Sequence, residues 1–130
     1  MHVAYPDISK IIGYNPHNPA EPFWMQQGFN FIVYVDKEKK VFHVPIGFQS
    51  DGCTIKSKLL QLFLGCPHEP KYLIGSIIHD YFCKNRYLID RQTASDTFEY
   101  ILLKEGANPE KVKKMKFWMN LYQKYCRRWE

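Results

Sequence analysis

Four side chains, Asp51, His79, Asp80 and Asp96, make up the part of this sequence best suited to chemistry. Asp51 sits in Ser-Asp-Gly-Cys-Thr-Ile (Ser50 to Ile55), while His79 and Asp80 are adjacent in Ile-Ile-His-Asp-Tyr (Ile77 to Tyr81). Charge placed beside apolar side chains is costly unless it is paired or bound to a metal, so such a cluster asks for a reason. One imidazole with two or three carboxylates suits Zn²⁺, Mn²⁺ or Fe²⁺ and leaves positions for a water that the ion would ionise near neutral pH. On this reading His79, Asp80 and Asp96 are the metal ligands, and Asp51, His79 and Asp80 are the catalytic groups of a small metal-dependent hydrolase. Ser50, Cys53, Thr54, Tyr81 and Arg91 are the neighbours expected to orient them or a substrate.

Two other readings use the same residues. In a structural network, Asp51 caps a loop or a helix start, His79 bonds a carboxylate, and Arg91 pairs with Asp80 or Asp96. The protein is then a non-enzymatic structural or accessory component. In a metal-free site, the carboxylates and imidazole act as acid and base, and Cys53 could be the nucleophile of a Cys-His-Asp arrangement. A thiol of that kind is normally activated at a helix N-terminus, which the segment Thr54 to Leu64 would supply, with Lys56 and Lys58 adding positive potential.

The elements that must position these groups can be read from local pattern. Phe29 to Val35 is β-branched and aromatic, Asp36 to Lys40 is a charged turn, and Val41 onward reads as the returning strand. Pro45 has no N–H to donate to a ladder and belongs at the strand's end. His43 reads as an ordinary strand residue. Apolar residues at 74, 77, 78, 81 and 82 give a helix near Pro70 to Cys83 with one core-facing stripe. His79 and Asp80 flank the far side of it, and small Gly75 and Ser76 one turn earlier imply that something packs closely there. Asp90 is a plausible N-cap for a helix from Gln92 to Glu105 that stops at Gly106. Pro109 opens the last helix, where Trp118, Met119, Tyr122 and Cys126 recur at helical spacing and read as a core stripe. That stripe should pack on Leu102-Leu103 or on the Phe29, Phe31 and Tyr34 face of the hairpin, with Lys113, Lys116, Lys124 and Arg127 pointing outward.

The order gives an α+β fold, a small antiparallel β-hairpin followed by three helices packed on it. One domain is expected over residues 1–130, with an irregular arm at 1–22, a β part at 23–55 and a helical part at 70–130. The arm holds four of the eight prolines.

Taken in order, Val44-Pro45-Ile46-Gly47-Phe48-Gln49-Ser50-Asp51-Gly52-Cys53-Thr54, then His79-Asp80-Tyr81, then Arg91 through Asp96 to Phe98 resemble the phage-associated family catalogued as domain of unknown function 1353. The resemblance covers roughly Phe29 to Trp118. It implies a phage or prophage origin, with phage components as partners, and implies no established activity. Lys56 stands where many relatives have proline, and position 53 is often alanine in the family, which counts against Cys53 as nucleophile. The His-Asp pair resembles only in part the HD-domain phosphohydrolases, whose first His would be His68; their folds are all-helical and their last Asp lies much further on.

Composition sets the outer limits. The chain has 130 residues, of which 45% are hydrophobic and 16% aromatic, enough for a core. Cys53, Cys66, Cys83 and Cys126 form no Cys-x-x-Cys pair, which argues against a zinc knuckle. Met1 to Gly13 carries Asp7 and Lys10 and no long apolar run, so no signal peptide is expected, the thiols should be reduced, and the expected location is cytoplasmic or virion-associated. No stretch approaches the ~20 apolar residues that span a bilayer, and no membrane partner is expected. The net charge is +5, and residues Pro109 to Glu130 carry all of the excess. With no recognition motif beside it, this basic segment reads as the solvated face of a helix, and nucleic acid is not expected as a partner.

Overall fold

The computed structural model describes residues 1–18, 21–50 and 70–125, with side chains up to Leu121 in the last helix. Asp51, Cys53 and Thr54, and the proposed helix that follows them, lie outside the described residues, as do Cys126 and the Tyr122 side chain.

Among the described residues, six short strands and three helices make an α+β fold, as expected. Strands β1 (His2–Ala4), β4 (Phe29–Val35) and β5 (Glu38–Val44) form one antiparallel sheet in the order β1-β4-β5. Strands β2 (Ile12–Tyr14), β3 (Phe23–Met25) and β6 (Gln49–Ser50) form a second in the order β2-β3-β6. Helices α1 (Pro70–Lys84), α2 (Arg91–Lys104) and α3 (Pro109–Tyr125) follow, with a 3-10 turn at Arg86–Leu88 between the first two. None of the helices described is long and apolar enough to cross a membrane.

Alternation decides the sheet. In β4, Phe29, Phe31 and Val33 point inward while Asn30 faces solvent; in β5, Phe42 and Val44 point inward. The pairing Phe31↔Phe42 puts two rings on the same inner face, with centroids 5.2 Å apart. Phe82 of α1 closes on both edge-on, at 5.5 Å from Phe31 and 5.0 Å from Phe42. Burying each such ring contributes about 2–3 kcal/mol, so this triad anchors helix to sheet.

Two readings of the β region need correction. The turn between β4 and β5 is only Asp36-Lys37, because Val35 pairs with Glu38 and the strand therefore begins before Val41. Asp36 takes a φ of 55°, which a short polar side chain tolerates, so a two-residue loop suffices. The N-terminal arm is also not irregular. His2, Val3 and Ala4 pair with Tyr34, Val33 and Ile32, and Val3 and Ile8 are fully buried. His2 Nδ1 lies 2.7 Å from the Tyr100 hydroxyl of α2, and Lys104 covers the Tyr5 ring at 4.9 Å. Prolines and turn residues gave this arm its loop-like composition; its strands are too short to show a period.

Helix ends follow the local signals. Asp90 caps α2 by accepting from the Thr93 N–H at 3.0 Å and the Thr93 hydroxyl at 2.6 Å. Gly106, at φ 88°, ends that helix in the left-handed conformation. Asn108 then caps α3, its side-chain oxygen accepting from the N–H groups of Glu110 and Lys111.

Helix α1 is the central element, buried from Tyr72 through His79. One side meets the sheets and the other meets α2 around Gly75, which confirms the close neighbour implied by Gly75 and Ser76. A second apolar cluster, formed by Tyr72, Phe98, Leu102, Ala107, Val112 and Met115, joins α3 to α2 and to the start of α1. The last helix therefore packs on Leu102, one of the two expected surfaces. Its inner stripe is Val112, Met115 and half-buried Met119. Trp118 is outside it, 41% exposed, and so is Phe117 at 57%. Leu103 is likewise exposed.

Candidate functional site

The expected site residues that the structure describes spread over three directions around α1 and α2. His79 is buried and faces α2, where its ring meets Phe98 edge-on at 5.6 Å. Its Nδ1 lies 3.4 Å from the Cys83 Sγ one turn on, a thiol–imidazole contact whose donor depends on the tautomer. Burial pushes the His79 pKa down to about 4, so the imidazole is neutral through the physiological range.

Asp80, the next residue, is turned about 100° around the helix. Its carboxylate lies 3.8 Å from Lys84 Nζ. Lys84 also donates to Glu21 at 2.5 Å and to the Gln49 carbonyl at 2.7 Å, and sits over the Phe48 ring at 5.1 Å. This ammonium ties β6 to the C-terminal end of α1. Ser50 is buried at the end of β6, opposite Phe23. Tyr81 lies on the sheet side among Phe31, Phe48 and Phe82, and its pKa is raised by burial and then by the nearby Tyr87.

Asp96 and Arg91 turn toward α3. Asp96 accepts from Lys116 at 2.7 Å and from Gln92 at 3.0 Å, and Lys116 also reaches Glu99 at 3.4 Å. The two-residue step from Asp96 to Phe98 reverses the helix face, so the carboxylate points away from the ring that touches His79. Arg91 donates to the Asn120 side-chain oxygen at 3.2 Å, which also accepts from the Ser95 hydroxyl. The expected pairing of Arg91 with Asp80 or Asp96 is thus replaced by an amide 29 residues away. Lys116, expected to point outward, is held between two carboxylates. Burial would push its pKa down, but the Asp96 hydrogen bond and the Asp96 and Glu99 charges outweigh that and raise it.

Among the described residues, no three His, Cys, Asp or Glu side chains are grouped so as to hold a metal ion. His79 and Cys83 are adjacent, Asp80 adjoins Lys84, and Asp96 belongs to the α2–α3 interface. Asp51, which follows Ser50 in the chain, lies outside the described residues. His43, read as an ordinary strand residue, is exposed on β5, with its Nδ1 2.6 Å from the Asn30 side-chain oxygen. Lys84, Asn120 and Ser95 were missed by sequence reasoning. The spacing of Lys84 four residues after Asp80 was the available signal for the first; nothing local marks the Asn120 contact.

A family model described as "Protein of unknown function (DUF1353)" matches residues 29–120, most of the chain. The chain belongs to this family. The match begins with β4 and ends within α3, so it takes in the hairpin, α1, α2 and the polar contacts of Arg91, Ser95 and Asp96 with α3. The DUF1353 chain is also 33% identical over 104 residues to "Uncharacterized protein y4jT" of Sinorhizobium fredii (strain NBRC 101917 / NGR234). That alignment covers 78% of this chain but only 28% of the relative, which is a much longer protein. No solved structure matches at a significant level.

Proposed function

We propose that the DUF1353 chain is a non-enzymatic structural or accessory module of phage or prophage origin, in which the polar residues hold the helices together. The observation that supports this reading best is the engagement of Asp96 and Arg91 by Lys116 and Asn120 of α3. Two residues read as ligand and substrate neighbour are instead half of a polar seam between two helices. A carboxylate already neutralised by an ammonium at 2.7 Å is a poor donor for a divalent ion. His79 fits the same role, as a neutral imidazole buried against an aromatic ring.

One observation favours the hydrolase reading. A neutral imidazole is the form that binds a metal, and the Cys83 sulfur beside it is a second donor suited to Zn²⁺ or Fe²⁺. On that reading Asp80 is a further ligand, and Asp51, His79 and Asp80 are the catalytic groups.

Metal analysis of the purified protein, combined with substitution, separates the two. The structural reading expects substoichiometric metal after purification, no gain in melting temperature with Zn²⁺, Mn²⁺ or Fe²⁺, and destabilisation by Asp96→Asn. Stoichiometric metal that a chelator removes without unfolding the chain, and that His79→Ala abolishes, would overturn it.

A further inference from the structure

The exposed face of α3 carries an apolar knob set among lysines, and nothing in the polar seam uses it. Phe117 and Trp118 are both exposed, and their rings meet edge-on with centroids 5.4 Å apart. Leu121, half-buried, follows one turn later. Lys113 and Lys114, both exposed, lie one turn earlier, directly in line with Phe117 and Trp118 at the i, i+4 spacing. The inner stripe of Val112, Met115 and Met119 occupies the opposite side, so the two aromatics have no place in the core. An exposed Phe-Trp pair is costly in water and rarely stands without a partner surface.

We propose that this face of α3 is a docking surface for an anionic lipid bilayer, with Phe117 and Trp118 entering the interface and Lys113 and Lys114 meeting the headgroups. Charge complementarity selects the occupant. Lys113 and Lys114 are both exposed beside the aromatic pair, in a segment whose sequence carries an excess of basic residues, so the partner surface is anionic. Ring geometry selects among anionic partners. Successive bases stack on separately presented rings, whereas here the two rings brace each other edge to face and project as one compact apolar wedge. Aromatic and aliphatic side chains bordered by lysines are the composition of helices that lie in a membrane interface. Phosphate headgroups attract the two ammonium groups, and insertion of the wedge removes its apolar area from water. A second copy of the chain would instead set lysine against lysine around the centre of the contact.

The test is co-sedimentation of the full chain with phosphatidylcholine vesicles, with and without phosphatidylserine, at two salt concentrations. The expected result is binding at least about fivefold tighter to the anionic vesicles, weakened by salt. Phe117→Ala with Trp118→Ala should lower it about tenfold at an unchanged melting temperature, and Lys113→Gln with Lys114→Gln should remove the preference for anionic lipid. Equal binding to both vesicle types, or binding unaffected by either pair of substitutions, would overturn the proposal. Dimerisation by light scattering that the aromatic pair of substitutions abolishes would overturn it in favour of a second copy. Oligonucleotide binding lost with the same lysines, without vesicle binding, would overturn it in favour of nucleic acid.

Discussion

A Cβ placed on Gly75 would lie 2.3 Å from the Cδ1 of Leu102, so α1 and α2 meet at a point where only a hydrogen fits. Leu102 is fully buried and has little room to retreat. Gly75→Val should therefore destabilise the chain by about 2 kcal/mol or more, overpacking outweighing the gain from removing a helical glycine. Urea denaturation would show it, and Leu102→Ala in the same chain should recover part of the loss. A wild-type midpoint for Gly75→Val would mean the helices are not in contact there.

His79 should make stability depend on acid. Its folded pKa of about 4 lies below the ordinary value of 6.5, so the unfolded chain binds the proton first as pH falls. The stability it contributes is complete above pH 6.5 and is lost progressively as pH falls to about 4, by roughly 3 kcal/mol. Replacing His79 with Leu should flatten the curve in that window. Denaturation midpoints at half-unit pH steps would measure it; identical slopes in both proteins would refute the burial argument.

Lys116→Gln should cost about 1–2 kcal/mol, since it leaves Asp96 and Glu99 without their shared ammonium in a half-buried interface. Exposed Lys113→Gln should change stability by less than about 0.5 kcal/mol. Because the Lys116 pKa is raised, its contribution is present below pH 10.5 and lost only as pH rises through the folded value. Thermal melts of both variants at pH 7 and pH 10 would check the contrast.

Lys84→Met should destabilise by about 1–2 kcal/mol. The exposed ion pair with Glu21 is worth little on its own, but the Gln49 carbonyl and the Phe48 ring share the same ammonium. Asp80→Asn, which weakens the 3.8 Å pair with Lys84 and keeps the shape, should cost less than Lys84→Met. The reverse order in chemical denaturation would assign Asp80 a partner more important than Lys84.

Trp118→Ala should change stability by less than about 1 kcal/mol, in contrast to the ~3 kcal/mol expected of a buried tryptophan. Calorimetry of the single substitution decides between an exposed and a core position.

Signals carried within a few residues were legible in the sequence. The cap at Asp90, the stop at Gly106, the start at Pro109 and the alternation from Phe29 all decide structure over one or two turns, and the structure follows them. The small residues Gly75 and Ser76 announced a close neighbour without naming it. What failed was direction around a helix. Trp118 and Met119 are neighbours in sequence, yet 100° of rotation puts one in solvent and the other against the core. Asp96 and Phe98 are separated in the same way, which sends the carboxylate to α3 and the ring to His79. Pairings such as Arg91 with Asn120, or β1 with β4, join residues some thirty apart that carry no mutual mark. Asp51 and Cys53 sit in a motif that the sequence singles out, and both lie outside the described residues.

The two-residue connection at Asp36-Lys37 also sets an order of events. A hairpin closed by so short a loop forms on the microsecond scale, because little chain entropy is lost before its first cross-strand contacts appear. Pairing of His2 with Tyr34 must wait for a much longer loop to close, over a partner strand that already exists. The sheet is thus expected to assemble outward from β4 and β5, with β1 annealing onto the free side of β4 last. Amide exchange during refolding would then protect Phe31 and Phe42 before Val3, and the first residues of the chain would remain open to a protease after the hairpin and helices have closed.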